Sequence, residues 1–294
     1  MDISIIIVNY RTADLCVNCV SSIKRVFESQ DTTYEVILID NASEDGSFEK
    51  LKYLEGDNIH VYATPYNGGF GYGNNRGVEF SSGEYLFFLN SDTVLYPDTI
   101  VDMWHYAKNN PEVGAIGCLM HDGGNNPLVT AHAFENTKTL FVQTIIKPLL
   151  PSIIKGKRAN RFISNLVGIR DCDWISGAGL LLPKNVFNNI GGWNEKYFLY
   201  MEDEELCYRI HNAGYRVVLL PQFGLKHFVS MSGGSPFSAY ERYKSKLMYF
   251  HDVNKKNYSF NRCILFIQAR QYMRGMSHNE RNKVMSKLRR IKYD

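Results

Sequence analysis

The chain has 294 residues, 45% hydrophobic and 21% charged, a balance that suits a soluble globular protein with one large domain and an appendage, or two small domains. No apolar run reaches bilayer-spanning length, and the opening MDISIIIVNY lacks a basic n-region and a cleavage site, so it reads as a first strand rather than a signal peptide. The net charge of +3 is uneven: from Ala239 onward 14 Lys/Arg face 4 Asp/Glu, whereas the preceding 238 residues carry 19 against 26.

This basic end reads as a solvated helix face or a contact with anionic lipid. A nucleic-acid patch is the weakest reading, because no recognisable reading module accompanies the charge, and no nucleic-acid partner is expected. Cys16 and Cys19 form one CxxC, but Cys118, Cys172, Cys207 and Cys263 supply no second pair for zinc. Buried thiols in a reducing compartment are expected, without a disulfide framework.

Residues 4–8 (Ser-Ile-Ile-Ile-Val) predict a strand buried on both faces. It ends at Asn9-Tyr10-Arg11, and Leu15, Cys19, Ile23 and Val26 follow at helical spacing. Residues 34–39 predict a second strand, closed by Asp40-Asn41-Ala42-Ser43. Residues 59–62 predict a third, leading to Asn67-Gly68-Gly69-Phe70-Gly71, and residues 85–89 a fourth, ending at Asn90-Ser91-Asp92. Four strand–helix alternations predict an α/β fold with parallel strands, in which ligands bind beyond the carboxyl ends. Asn9, Asp40, Asn67 and Asp92 stand at those ends.

A dinucleotide site needs GxGxxG directly after the first strand, and that turn is Asn-Tyr-Arg-Thr-Ala-Asp. Asp92, closing a strand, suits a divalent cation that bridges diphosphate oxygens; an Asx turn is the plain alternative.

From His121 to Asp171 the pattern weakens. An apolar helical stretch (Leu140, Phe141, Ile145, Ile146, Leu149, Leu150, Ile153, Ile154) precedes a basic run (Lys155, Lys157, Arg158, Arg161). It reads as a helix packed on the core, an acceptor-side lid or a helix on a membrane surface. Residues 173–182 predict a strand with small residues where a ligand approaches closely. Gly191-Gly192-Trp193 then leads to Glu202-Asp203-Glu204-Glu205, and Leu206, Cys207 and Ile210 predict a helix there. Acids in a first turn suit the macrodipole and read plainly as a solvated helix start. Trp193, Tyr197, Phe198 and Tyr200 read instead as a pocket wall beside a functional carboxylate. Residues 215–221 predict another strand, His227 follows it, and the chain is helical from Ala239.

Six stretches, in order, resemble the inverting family 2 glycosyltransferases of GT-A fold, in their bacterial rhamnosyltransferase-like branch. They are residues 5–11, Asp40 to Ser47, Asn67 to Gly77, Leu89 to Thr93, Gly191 through Arg209, and His227; the resemblance covers residues 1 to about 235. It implies a Rossmann-like, mostly parallel sheet flanked by helices. The implied domain is 1–238, with a nucleotide-sugar half (1–118), a variable insert (119–170) and an acceptor and catalytic half (171–238). A basic helical extension (239–294) follows.

By the same resemblance, Asn9, Tyr10, Arg11 and Asp40 hold the base and ribose, and Val8 belongs to the nucleotide-sugar site. Asn67, Gly69, Asn90 and Ser91 belong to the nucleotide-sugar site, and Arg76 lies near the base or diphosphate. Asn90 replaces the first aspartate of the family's DxD motif, leaving Asp92 and His227 to hold Mg2+ or Mn2+. Asp203 is the implied base, with a pKa raised by burial and by Glu202 beside it. Trp174, Gly177, Trp193 and Glu202 form the acceptor side.

The implied reaction moves a sugar, rhamnose from dTDP-rhamnose first, from a nucleotide diphosphate donor to a saccharide or polyprenyl-linked acceptor. Its setting is bacterial surface polysaccharide synthesis. The enzyme is expected to be cytoplasmic and peripheral on the inner membrane face, bound there through its basic tail; homodimerisation is left open. A UDP-sugar transferase and a non-catalytic sugar-nucleotide-binding scaffold are the alternatives. A nucleotidyltransferase is not, since the first turn lacks a glycine-rich basic loop.

Overall fold

β-Branched and aromatic residues fill β1 (Ile3–Asn9), β2 (Tyr34–Asp40), β3 (Ile59–Ala63) and β4 (Tyr85–Asn90), and their side chains are largely buried, as strands covered on both faces require. The computed structural model describes residues 1–149, 168–228 and 235–293. Leu150, Ile153, Ile154, Lys155, Lys157, Arg158 and Arg161 lie outside the described residues.

The chain forms two compact units. The first comprises Met1–Ala133, Leu166–Lys196 and Glu202–Val229; the second comprises Phe134–Asn165, Tyr197–Met201 and Ser230–Asp294. Residues 119–133 belong to the first unit with the sheet, and the described residues 134–149 belong to the second with the C-terminal helices.

In the first unit, helices α1 (Ala13–Phe27), α2 (Ser47–Lys52), α3 (Phe70–Glu79) and α4 (Thr99–Asn109) alternate with strands. β5 (Thr93–Leu95), β6 (Val113–His121), β11 (Gly179–Pro183) and β12 (Arg216–His227) complete the main sheet, in the order β3-β2-β1-β4-β11-β6-β12-β5. β1 to β4 are parallel as predicted; β11 runs antiparallel to β4 and β6, and β5 antiparallel to β12. Short β7 (Pro127–Leu128) and β9 (Arg170–Asp171) flank β6 and β12.

Two predicted strands change extent. Residues 173–182 divide into β10 (Trp174–Ile175), which pairs with β8 (Ala131–His132), and β11, with Ser176, Gly177 and Ala178 crossing between two sheets. β12 continues past Pro221 because its register against β6 slips between Leu220 and Gly224, which accommodates a residue without an N–H. His227 therefore ends this strand instead of following it. α3 lies tight on β1, since a Cβ on Gly73 would stand 2.7 Å from Val8. α6 (Lys184–Asn189) and α7 (Glu202–Asn212) pack on the later strands.

In the second unit, α5 (Thr137–Phe141) continues through a π-type turn, Val142–Ile146, to Lys147–Leu149. It joins α8 (Pro236–Asp252), α9 (Tyr258–Tyr272) and α10 (His278–Arg290). Ser235 caps α8 with proline at its first position, and Ser277 and Glu280 form a capping box on α10. Their apolar faces enclose a core that includes Tyr197, Tyr249, Phe250 and Leu288. Among the described residues no helix is long and apolar enough to cross a membrane.

Candidate active site

Register brings the carboxyl ends of β1, β2 and β4 level, opposing Asn9 to Asp40 and Val8 to Asn90. Asn9 is fully buried; its Nδ2 donates to Asp40 Oδ1 (2.6 Å) and Ser43 Oγ (3.2 Å). Its Oδ1 accepts from the Thr12 N–H and hydroxyl, and that hydroxyl sits 2.8 Å from Ser91 Oγ. Asp40 also accepts from Ser43 N (3.1 Å) and Oγ (2.5 Å). Asn9, Asp40 and Ser91 are thus one buried lattice joining three strand ends. Thr12 and Ser43 are members of it that sequence reasoning missed, although Asp-x-x-Ser is a spacing at which a carboxylate accepts from the backbone N–H three residues on.

Tyr10 and Arg11 remain exposed above this lattice, the guanidinium 5.1 Å from the Tyr10 ring centre. Arg11, Ala42 and Glu44 all have left-handed backbone angles (φ 59°, 56° and 54°), a strain of about 1–3 kcal/mol each that collects at functional loops. A concavity of about 340 Å³ opens beside them, lined by Arg11, Thr12, Asp45, Ser47 and Lys50 among others. Asn67 Oδ1 accepts from Gly69 N and Asn41 Nδ2 (both 3.0 Å), which shapes the entry to α3.

Arg76 does not join this group. It lies more than a turn into α3, and its guanidinium pairs with Glu79 (2.7 Å) and Glu195 (3.4 Å) and stacks 5.3 Å from Tyr72. An i,i+3 carboxylate neighbour captures it.

The antiparallel pairing of β12 with β5 opposes His227 to Thr93, and Phe228 N donates to Asp92 O (2.9 Å). Asp92 Oδ1 and His227 Nε2 consequently stand 3.1 Å apart, both largely buried, with Asn90 Nδ2 3.3 Å from the same imidazole nitrogen. One carboxylate and one imidazole nitrogen converging suit Mg2+ or Mn2+ when substrate phosphates supply further oxygens. Among the described residues no group of three His, Cys, Asp or Glu side chains forms a complete cage. Cys19 packs beneath, its Sγ 3.4 Å from Thr93 Oγ1, and burial pushes its thiol up to about 12. The CxxC is packing, and all six cysteines are free.

The four acids of α7 are not a solvated helix start. Glu202, Glu204 and Glu205 are 7%, 1% and 8% exposed, and Glu205 forms a two-point ion pair with Arg209. Asp203 is half-buried; its Oδ2 accepts from Gly177 N (3.3 Å) and its Oδ1 from Glu204 N (2.9 Å). The next residue, Ala178, accepts at its carbonyl from Asn90 N (3.1 Å). Asp203 is therefore tied through Gly177 and Ala178 to the strand end that carries Asn90, Ser91 and Asp92.

The residues of the predicted aromatic wall are divided between the two units. Trp193, 2% exposed, packs edge-on against Phe70 and Phe88 and backs Gly177, where an added Cβ would stand 3.2 Å from it and from Phe70. Tyr197 is buried in the core of the second unit instead. Trp174, half-buried, stacks on His132 with ring centres 4.2 Å apart and donates to Ala133 O.

The family model for "Glycosyl transferase family 2" matches residues 4–170, more than half of the chain and short of Asp203 and His227. Among curated proteins, the chain is 25% identical over 259 residues to the rhamnosyltransferase WbbL of Escherichia coli K12, covering 82% of this chain and 92% of that one. It is 27% identical over 212 residues to the N-acetylglucosaminyl-diphospho-decaprenol L-rhamnosyltransferase of Mycobacterium tuberculosis, covering 68% of each. Among solved structures, the mannosyltransferase PcManGT from Pyrobaculum calidifontis, in complex with GDP-Man and Mn2+, superposes with a TM-score of 0.58 at 14% identity. That match covers 99% of this chain and 76% of the other, and shows a common GT-A fold. With its strand-end cluster, mixed sheet and family match in agreement, the chain belongs to family 2 of the glycosyltransferases and is a sugar-transferring enzyme.

Proposed function

We propose that this glycosyltransferase inverts the anomeric centre in a single displacement, with Asp203 as the base. The observation that carries this reading is the short hydrogen-bonded path from Asp203 through Gly177 and Ala178 to Asn90, beside the Asp92–His227 pair. An acceptor hydroxyl oxygen attacks the anomeric carbon, the bond to the diphosphate oxygen breaks, and the hydroxyl proton passes to Asp203 Oδ. Asp92 and His227 would hold Mg2+ or Mn2+, which when bound neutralises charge on the departing diphosphate. Arg11 lines the concavity that would take the nucleoside, with the Tyr10 ring against its guanidinium, above the Asn9–Asp40–Ser43 lattice.

The rhamnosyltransferase relatives support dTDP-rhamnose as the first donor, ahead of UDP-glucose, UDP-galactose and UDP-N-acetylhexosamines. The decaprenol-linked acceptor in one relative's name supports a saccharide on a polyprenyl diphosphate, reached from the cytoplasmic membrane face. The test is turnover of each sugar nucleotide with Mn2+ and with chelator, reading the anomeric configuration of the first product by NMR. Retention of configuration would end the single-displacement reading. Nucleotide binding without turnover of any donor would favour the scaffold alternative.

A further inference from the structure

We propose that one face of the second unit, built by residues 137–149 and α9, seats the enzyme on an anionic lipid bilayer. This rests on the membrane reading above and narrows it from a charged tail to a defined surface. Phe141, Val142, Ile146 and Leu149 are exposed on the first segment, and Phe260 and Ile267 on α9. Leu149 reaches 78% exposure and Phe260 48%. Isolated apolar side chains on a surface are ordinary; rows of them on neighbouring helices are not.

The two rows adjoin. Phe141 and Phe260 stack with ring centres 6.3 Å apart, and Gln271 Nε2 donates to Thr144 O (3.1 Å). The opposite sides of these same helices bury Leu140, Thr144, Ile264 and Leu265, so the apolar residues left outside are surplus to the core.

Charge on these two segments has one sign. Residues 137–149 and 253–279 contain no aspartate or glutamate, while Lys138, Lys147, Lys255, Lys256 and Arg270 are exposed there. Lys255 and Lys256 line, with Phe260, a concavity of about 520 Å³ at the head of α9. Apolar side chains among these lysines and arginines match the boundary between acyl chains and anionic headgroups, with Asp252, paired to His251, as the acid that borders the concavity. A second copy of the chain is a poor occupant, because two such faces would oppose cation to cation. α10 is also basic, but its apolar residues Val284, Met285 and Leu288 are all buried, so it offers attraction without insertion.

The experiment is flotation of the full-length chain with phosphatidylglycerol-containing vesicles and with pure phosphatidylcholine vesicles, no donor or acceptor present. Wild type floats with the first and not the second. Phe141→Ser with Phe260→Ser loses at least tenfold in partitioning at every salt concentration. Lys255→Gln with Lys256→Gln loses roughly 30-fold at low salt, a gap that narrows as salt rises. Lys283→Gln with Arg290→Gln on α10 stays within about threefold of wild type. Ile146→Ser with Ile267→Ser repeats the apolar arm should the phenylalanine variant fail to fold, as judged by its thermal midpoint.

Undiminished flotation of either apolar variant, or a loss from the α10 variant equal to that of the lysine variant, overturns the proposal. So does a wild-type dimer in sedimentation that the phenylalanine variant dissociates without change in flotation, which would make the face a self-interface. Because no sugar nucleotide enters the measurement, an error in the donor or in the base leaves this readout untouched.

Discussion

Replacing Asp203 by asparagine removes the proposed base while changing almost no volume. In the folded protein the carboxylate accepts from Gly177 N through one oxygen and from Glu204 N through the other. Asparagine keeps one acceptor and turns an NH2 toward the second donor. That leaves a half-buried N–H unpaired, at a stability cost of about 1–3 kcal/mol. General-base catalysis contributes roughly 10²–10⁴-fold, equivalent to about 2.7–5.4 kcal/mol of barrier. The expected result for Asp203→Asn is therefore a rate loss of that size at saturating donor, a small drop in thermal midpoint, and unchanged stabilisation by nucleotide diphosphate with Mn2+. The stoichiometry of nucleotide binding separates the two effects, since a folding defect lowers the number of binding-competent molecules and a lost base lowers the turnover of each one. A variant that transfers sugar within about threefold of wild type would refute the assignment, however well the geometry suits it.

Removing one side of the cation pair, by His227→Ala or Asp92→Asn, should raise the Mn2+ concentration for half-maximal activity at least tenfold. Full activity of wild type in excess chelator would refute the pair's role. Gly73→Ala inserts a Cβ 2.7 Å from Val8, and the overpacking should cost about 1–3 kcal/mol in urea unfolding. An unchanged midpoint would mean that α3 does not rest on β1 as described.

Glu35 tests the electrostatics of the sheet's far end. Burial raises its pKa, but hydrogen bonds from Ser4 and Ser82 outweigh burial and hold the carboxyl below its usual 4.5. A depressed folded pKa contributes stability above the unfolded value, and that contribution disappears as pH falls through the folded one. Glu35→Gln should cost about 1 kcal/mol at neutral pH, with the gap to wild type closing below about pH 4. A gap that persists in acid would assign the loss to packing instead.

Local pattern alone was enough for β1 to β4, the helices between them and the position of polar residues at strand ends. Apolar runs and helical spacing are properties of neighbouring residues, and a parallel sheet follows from their alternation. The same holds for the helix at Glu202 and for the helical C-terminal end. Motif order also placed Asp92, His227 and Asp203 on one list of candidates.

What local pattern could not supply was anything decided by partners distant in the chain. The four acids of α7 look alike in sequence, and only packing buries three and half-exposes Asp203 beside Gly177. Arg76 had the right neighbours in sequence, but Glu79 and Glu195 capture its charge. Trp193 and Tyr197 share a stretch yet enter different cores, because a chain crossing between two compact units gives each side chain to whichever unit encloses it. His227 meets Asp92 only through the register of β12 on β5, a pairing 134 positions apart at His227 and Thr93 that no local preference encodes.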